Sequence, residues 1–329
     1  MKVLILGASG LLGHNVTQQL LNNHHEVVAV VRNKNKLQIQ ESHLNVISGE
    51  LTLDILNIAA KGCNAIINCA GTTDMTLLHQ QDYMNMNRNL CNILIAIMQN
   101  NNISRLVHVS TANTIGFGTK NNPTNETAKI KYPFTNSWYA LSKLEGEQIL
   151  KYNALLHPTW HIIIVNPGFM IGKYDINPSS GKLLLAAYHK PIMITPKGGK
   201  SFIAAKDVAT AIINGLTLGT SGNTYLLTNK SLTIKELYQL QSKLLHYHQY
   251  IIQLPNWLIR FIGLIGDVIR KINIKTQLST RNIEQLLITE YYNNQKAIEE
   301  LKMPQTSINE AILDFFKWQS SKNMKYKKQ

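Results

Sequence analysis

The chain of 329 residues carries 33 lysines and arginines against 19 aspartates and glutamates, a formal net charge of +14, and is 44% hydrophobic and 16% charged. Such a length and composition belong to a globular protein with one large core, or one core and a smaller lobe, without internal repeats or low-complexity linkers. The positive charge admits nucleic acid, an anionic membrane surface or a phosphate-rich cofactor as partners. The basic residues are scattered, however, and the one dense run, Lys322, Lys325, Lys327 and Lys328, reads as a solvated terminus, so nucleic-acid binding is not expected. Cys63, Cys69 and Cys91 lack metal-ligand spacing and fit a reduced, cytoplasmic setting. The apolar residues after Lys2 are too few for a signal peptide, and the most apolar window, 251–269, is interrupted by Pro255, Arg260 and Asp267. No membrane span is expected.

Val3-Leu4-Ile5-Leu6 is a short, continuous apolar strand of the kind buried on both faces. It stops at Gly7, and Gly10 and Gly13 follow as a helical apolar pattern begins with Leu11, Leu12, Val16 and Leu20. A strand, a glycine turn and a helix start make a phosphate cradle. The turn needs a residue without Cβ, the backbone must approach the ligand, and free N–H groups with the helix dipole favour an anion. This context predicts a dinucleotide site. A second buried strand covers 26–32. An acidic residue at its end would take the ribose hydroxyls of NAD, but it closes on Arg32, followed by Asn33, Lys34 and Lys36, with no carboxylate before Glu41. That end suits the 2′-phosphate of NADP, with an exposed basic turn as the alternative.

Residues 45–51 read as a third strand and turn, 53–61 as a short helix, and 65–71 as a fourth strand whose small end residues leave room for a ligand. A helix covers 82–100 and a fifth strand 105–110. Residues 117–136 form a loop, a helix runs from Ser137 to about Tyr152, and a sixth strand, 159–165, closes on Asn166-Pro167-Gly168. The alternation predicts an α/β fold, a doubly wound parallel (Rossmann) sheet with a smaller, mostly C-terminal substrate lobe. Residues 1–168 with about 201–228 would form the dinucleotide-binding domain, and about 169–200 with 229–329 the lobe. Within the latter parts, 169–200 reads as loops around one helix, Asp207 as the N-cap of an apolar helix, 222–228 as a strand, and 233–245 and 255–271 as helices. The last carries a broad apolar face including Trp257, Phe261, Leu264 and Val268. We expect it to pack on its own protein, over an apolar cleft. The other reading lays it on a membrane surface with Arg260, Arg270 and Lys271 as anchors.

Tyr139 and Lys143 share one face of a helix. A phenol is a poor acid–base group at neutral pH, and a nearby ammonium with a positive nicotinamide ring would lower its pKa. Ser110 and Thr111, at the end of the fifth strand, offer hydroxyls to a carbonyl oxygen poised for hydride transfer. The paired histidines His24-His25 and His246/His248 lack a third ligand, so no metal is expected. No nucleophile-elbow signature supports a hydrolase at Ser110.

Taken in order, Gly7-x-x-Gly10-x-x-Gly13, Asn68-Cys69-Ala70-Gly71, Ser110-Thr111, Tyr139-x-x-x-Lys143 and Asn166-Pro167-Gly168 resemble the extended short-chain dehydrogenase/reductase (NAD-dependent epimerase/dehydratase) superfamily over nearly the whole chain. The pattern from Tyr225 to Leu245, then Leu254-Pro255, resembles its dihydroflavonol-reductase-like subgroup. The resemblance implies Tyr139 as general acid or base, Lys143 as its pKa-lowering partner, Thr111 or Ser110 orienting the carbonyl, and Asn87 completing a proton relay. It implies cofactor contacts from Gly7, Ser9, Gly10, Leu11, Leu12 and Gly13; from Arg32, Asn33, Lys36, Glu50 and Leu51; and from Cys69, Ala70, Gly71 and Thr72. Tyr139, Lys143, Asn166, Pro167, Gly168 and Met170 complete the set. The family often has arginine where Asn166 stands, a difference expected to alter substrate contacts. The leading expectation is an NADP(H)-preferring reductase or dehydrogenase for the carbonyl or secondary alcohol of a small, rather apolar molecule, acting as a monomer or homodimer. The alternatives are an epimerase or dehydratase of sugar nucleotides using NAD(H), and a cofactor-binding scaffold without turnover.

Overall fold

The computed structural model describes residues 1–176 and 180–326, so Lys327 and Lys328 of the basic run, and 177–179 of the expected lobe, lie outside the described residues. Strands β1 (Lys2–Leu6), β2 (Glu26–Val31), β3 (Leu44–Ser48), β4 (Ala65–Asn68), β5 (Arg105–Val109) and β6 (His161–Pro167) lie in one sheet, joined at β6 by a late strand, Thr224–Leu227. Numbering on through β7 (Phe169–Ile171), β8 (Ile192–Thr195) and β9 (Gly199–Ala204), that late strand is β10. The sheet order is β10-β6-β5-β4-β1-β2-β3, and every pairing within it is parallel. The order reverses at β1, so the crevice above the carboxyl ends opens there.

The helices of the first half are α1 (Leu11–Asn22), α2 (Leu53–Ala59), α3 (Gln80–Tyr83), α4 (Asn89–Asn100) and α5 (Trp138–Leu156). Helix α6 spans Gly181–Ala187 and α7 spans Ala205–Asn214. Successive side chains of a strand point to opposite faces, which explains the unbroken apolar run of β1. Val3 and Ile5 pack with Leu12, Val16 and Leu20 of α1 and Val208 and Ile212 of α7. Leu4 and Leu6 pack on the other face with Leu56, Leu90, Leu94 and Leu150 from α2, α4 and α5. The four apolar side chains of β1, Val3 to Leu6, are fully buried, each worth roughly 1.5–3 kcal/mol.

The remaining elements are β11 (Lys230–Thr233), α8 (Ile234–Leu244), β12 (Tyr250–Gln253), α9 (Asn256–Lys271), α10 (Thr280–Leu287), α11 (Gln295–Glu300) and α12 (Ile308–Tyr326). A three-stranded sheet β11-β9-β7 and a parallel pair β12-β8 lie beside the large sheet. Helix α8 starts in a capping box between Thr233 and Glu236. Two local expectations fail. Residues 169–200 hold three strands or strand starts besides α6, because their short apolar runs pair with distant partners, Phe169 with Phe202 and Ile192 with Tyr250. Asp207 is not an N-cap: α7 begins two residues earlier, and the Asp207 carboxylate accepts from the Thr306 N–H and hydroxyl, at 2.7 and 2.8 Å.

The expected packing of α9 also fails. The helix is present, yet it buries its small face, Ile259, Gly263 and Gly266, and leaves Trp257, Phe261, Leu264 and Val268 more than half exposed. The glycines explain this. An added Cβ on Gly266 would lie 1.7 Å from the Leu278 carbonyl oxygen, and one on Gly263 3.1 Å from Thr280 Cα, so the chain at the start of α10 closes on that side.

Candidate active site

Gly7 adopts φ +77°, and a Cβ there would lie 2.7 Å from the Ala70 nitrogen at the end of β4. A Cβ on Gly13 would lie 2.1 Å from the Gly7 carbonyl oxygen. Both glycines are therefore required by backbone contact. Gly10 is not: the nearest atom to its Cβ would be Gly7 O at 3.5 Å, ordinary contact. Gly10 N–H donates to the Gly7 carbonyl at 3.1 Å, and Gly10 caps α1 with no side-chain acceptor for the first-turn N–H groups. An open cradle of uncapped amides fits a pyrophosphate. Ser9 lies in this turn, and Leu11 and Leu12 begin the helix with their side chains buried.

At the end of β2, Arg32, Asn33 and Lys36 are exposed, and Asn33 Oδ1 accepts from Asn35 N at 2.9 Å to fix a single turn of 3₁₀ helix, Lys34–Lys36. Among the described residues no carboxylate pairs with Arg32. Glu50 and Leu51 follow the neighbouring end of β3, whose Ser48 is in register with Val31. Beyond β4, Asn68 turns the chain by accepting from Ala70 N at 3.0 Å while its amide donates to His108 Nδ1 at 3.0 Å. Burial holds the His108 imidazole well below its ordinary pKa, so it is neutral. Cys69 and Ala70 lead to Gly71, where a Cβ would meet Lys143 Nζ at 2.7 Å and Asn87 Oδ1 at 3.0 Å.

Ser137 caps α5, placing Tyr139 in its first turn and Lys143 one turn on. Lys143 is buried and its ammonium donates to the Val109 carbonyl at 3.0 Å. The Thr111 side chain lies beside the Tyr139 phenol, near enough to favour its ionised form. From the protein's own groups, burial pushes the Tyr139 phenol above its usual value, and the Thr111 side chain pulls it back only in part. Burial likewise lowers Lys143. Thr111, rather than Ser110, faces Tyr139, because the Ser110 hydroxyl donates to Glu147 Oε1 at 2.5 Å.

Asn87 sits in a π-helical turn, Met84–Arg88, that interrupts the helix expected over 82–100. Its Oδ1 accepts from Thr72 N at 3.0 Å, and its amide donates to Thr72 O at 3.3 Å and Ser142 Oγ at 3.0 Å. The side chain thus fastens the strand-end loop to α5, with both of its amide hydrogens engaged. Asn166 is fully buried, and its amide nitrogen lies 3.1, 2.9 and 2.7 Å from Thr111 O, Thr114 Oγ1 and Glu147 Oε1, sharing its two hydrogens among them. Pro167 ends β6, Gly168 N donates to Leu227 O at 3.0 Å, and Met170 lies in β7.

Sequence reasoning missed Glu147, the centre of this network, which also accepts from Thr114 Oγ1 at 2.7 Å. Its signal was present, since Tyr139, Lys143 and Glu147 recur every four residues along one face. It also missed the clamp from the C-terminal half. Arg270 donates to Leu77 O at 2.5 Å and to Met75 and Thr76 carbonyls at 3.4 Å, Asn282 donates to Met75 O at 3.1 Å, and the Arg281 guanidinium lies 3.5 Å from the Trp138 ring centroid. These contacts join α9 and α10 to the loop after β4 and to the first turn of α5. Nothing in the local sequence marks them.

Residues 3–227 match the NAD dependent epimerase/dehydratase family. The chain belongs to that family. Among its relatives is a protein of Synechocystis sp. named "Putative dihydroflavonol 4-reductase", 23% identical over 95% of this chain and 93% of the relative. Another, "Sterol demethylase protein B" of Methylococcus capsulatus, is 21% identical over 98% of this chain and all of the relative. The UDP-glucose 4-epimerase of Thermotoga maritima, solved with UDP-glucose, superposes with a TM-score of 0.78 at 14% identity, covering 98% of this chain and 99% of that one, and shows the shared fold. As a family member the protein is an NAD(P)-dependent enzyme of the extended short-chain dehydrogenase/reductase type. Among the described residues no helix is long and apolar enough to cross a membrane, and no cluster of histidine, cysteine and carboxylate side chains could hold a metal.

Proposed function

We propose that this enzyme is an NADP-preferring oxidoreductase acting on the carbonyl or secondary alcohol of a small, rather apolar molecule. The placement of Tyr139 and Lys143 one turn apart on α5, with the Lys143 ammonium on the Val109 carbonyl at the end of β5 and Thr111 beside the phenol, carries the reading. Residues 1–168 with about 201–228 hold the cofactor in this proposal, and 169–200 with 229–329 the substrate, although β9 pairs in the smaller sheet. Gly7, Ser9, Gly10, Leu11, Leu12 and Gly13 take the pyrophosphate; Arg32, Asn33 and Lys36 take the 2′-phosphate; Glu50 and Leu51 flank the adenine. Cys69 to Thr72, Tyr139, Lys143 and the backbone from Pro167 to Met170 line the nicotinamide end.

When bound, the nicotinamide supplies hydride to a carbonyl carbon. Thr111 orients the carbonyl oxygen by its hydroxyl, and Tyr139 Oη gives that oxygen its proton. Because burial raises the phenol's pKa, Tyr139 remains protonated through neutral pH, which suits an acid in the reductive direction. The buried Lys143 ammonium stabilises the phenolate left behind. Glu147 and Asn166 fix the Ser110–Thr114 segment, and Asn87 fixes Thr72. The names of two relatives, a dihydroflavonol reductase and a sterol demethylase protein, support an apolar ring substrate. Three free cysteines, Cys63 and Cys91 buried, support a cytoplasmic setting.

Tyr139→Phe tests the reading. With NADPH and a panel of ketones, kcat should fall by about 10²–10⁴, while the thermal stabilisation by NADP remains. Unchanged turnover would refute the role of the phenol. The family name also supports a second reading, an epimerase or dehydratase for sugar nucleotides using NAD(H). Nucleotide retained through purification, with no consumption of free NADPH, would favour it.

A further inference from the structure

We infer that the outward face of α9 seats the enzyme on an anionic lipid bilayer. This helix is amphipathic in the reverse of the usual sense. Its glycine side is closed against the chain leading into α10, and its bulky side, Trp257, Phe261, Leu264 and Val268, follows the spacing of a single helical face and stands 55–69% exposed. Immediately upstream, β12 runs into α9 through Leu254-Pro255, and Tyr250 and Ile252 are exposed beside Ile192 and Ile194 of β8. A monomer rarely leaves so many large apolar side chains exposed on one helix face without a partner.

Charge identifies the partner. Between Glu236 and Asp267 the chain has no acidic residue, and between Asp175 and Asp207 it has five lysines and no carboxylate. The one acid of α9, Asp267, is turned inward, accepting from Thr280 N at 3.1 Å. Exposed cations border the apolar face at Lys271 and Lys275, and at Lys190 where β8 begins. A second copy of this chain would set one cationic rim against another, in a protein of net charge +14. An anionic bilayer attracts the same rim while its acyl boundary accepts Trp257 and Phe261. The anchors differ from those the sequence suggested: Arg260 is paired with Glu284, and Arg270 is turned to the carbonyls of the loop after β4. The inference stands whichever reaction the site performs.

The test is co-sedimentation of the purified full chain with vesicles of phosphatidylcholine alone or mixed with phosphatidylserine. We expect binding to the mixed vesicles that weakens with added salt. The variant Trp257→Ser/Phe261→Ser/Leu264→Ser should bind more than tenfold more weakly while keeping its thermal stabilisation by NADP, which reports an intact fold. Removing two rim cations in Lys271→Ala/Lys275→Ala should weaken binding by roughly 25-fold, about fivefold per cation. Failure of the wild type to bind mixed vesicles, or equal binding by the triple variant, would overturn the inference. So would a wild-type dimer in sedimentation equilibrium that the triple variant converts to a monomer, since the face would then be occupied by a second copy.

Discussion

In α1, Gly13 brings the helix so near the turn before it that an added Cβ would lie 2.1 Å from the Gly7 carbonyl oxygen; in α9, Gly266 brings the helix so near the segment after it that one would lie 1.7 Å from the Leu278 carbonyl oxygen. The two contacts have the same chemistry and opposite consequences. Around α1, the bulky side chains Leu12, Val16 and Leu20 are covered by α7 and the sheet, and what remains open is the uncapped helix start. Around α9, the covered side is the small one, and the bulk is left facing out. Close approach by glycine thus leaves either polar backbone or apolar side chains available, and the neighbours decide which.

Substitution separates the two cases. Gly13→Ala should cost at least about 3 kcal/mol, at the upper end for overpacking, because only backbone atoms lie in the way. It should also abolish the thermal shift with NADP. Gly266→Ala, where the Leu278 carbonyl lies closer still, should likewise cost at least about 3 kcal/mol in urea unfolding while leaving nucleotide binding intact in the folded protein. If Gly266→Ala also weakens nucleotide binding, α9 is coupled to the cradle and the contrast between the helices fails.

A pH experiment probes the open end of α1 from inside. His14 follows Gly13, is fully buried, stacks on Tyr174 at 4.2 Å, and has neither ring nitrogen bonded among the described residues. Burial lowers its pKa from 6.5 to about 4. The unfolded chain therefore takes up a proton below pH 6.5 that the folded chain refuses until about pH 4. Stability from this group is complete above the higher value and is lost as pH falls through the window, by about 3 kcal/mol in all. Phenylalanine keeps the ring and removes the titration, so His14→Phe should lose that much less stability than wild type on acidification. Parallel unfolding profiles for the two proteins from neutral pH to pH 4 would show that His14 is not the group responsible.

The same contrast explains how far the sequence could be read. The large sheet was legible because β1 and β4 announce themselves as continuous apolar runs ending in small residues, a local property of doubly buried strands. The glycine turn and the Tyr139–Lys143 face were legible for the same reason, since spacing along one element sets both. Partners from distant segments were not. Whether Thr111 or Ser110 meets Tyr139 depends on Glu147, whose carboxylate takes Ser110, and on Asn166 from another strand. The pKa of Tyr139 depends on how deeply the phenol is buried, which no spacing reports. The exposed face of α9 depends on Leu278 and Thr280, beyond the helix itself. Its apolar pattern read equally well as core.

The smallest expected effect lies at the exposed rim of the cradle, where polarity rather than packing decides. Arg32 closes β2 with no carboxylate partner among the described residues, so a guanidinium is free to take two phosphate oxygens there. In Arg32→Glu, the ratio of kcat/KM for NADPH over NADH should fall by about tenfold to a hundredfold, as expected for losing charge-assisted hydrogen bonds and gaining repulsion. A change confined to the outward face of α9, such as Leu264→Ser, should leave that ratio untouched. If Arg32→Glu also leaves it untouched, the 2′-phosphate is not held at this strand end and the turn is a solvated basic loop. The NADP preference would then lose its support, while the roles of Tyr139 and of the glycine turn would be unaffected, because neither depends on which dinucleotide is bound.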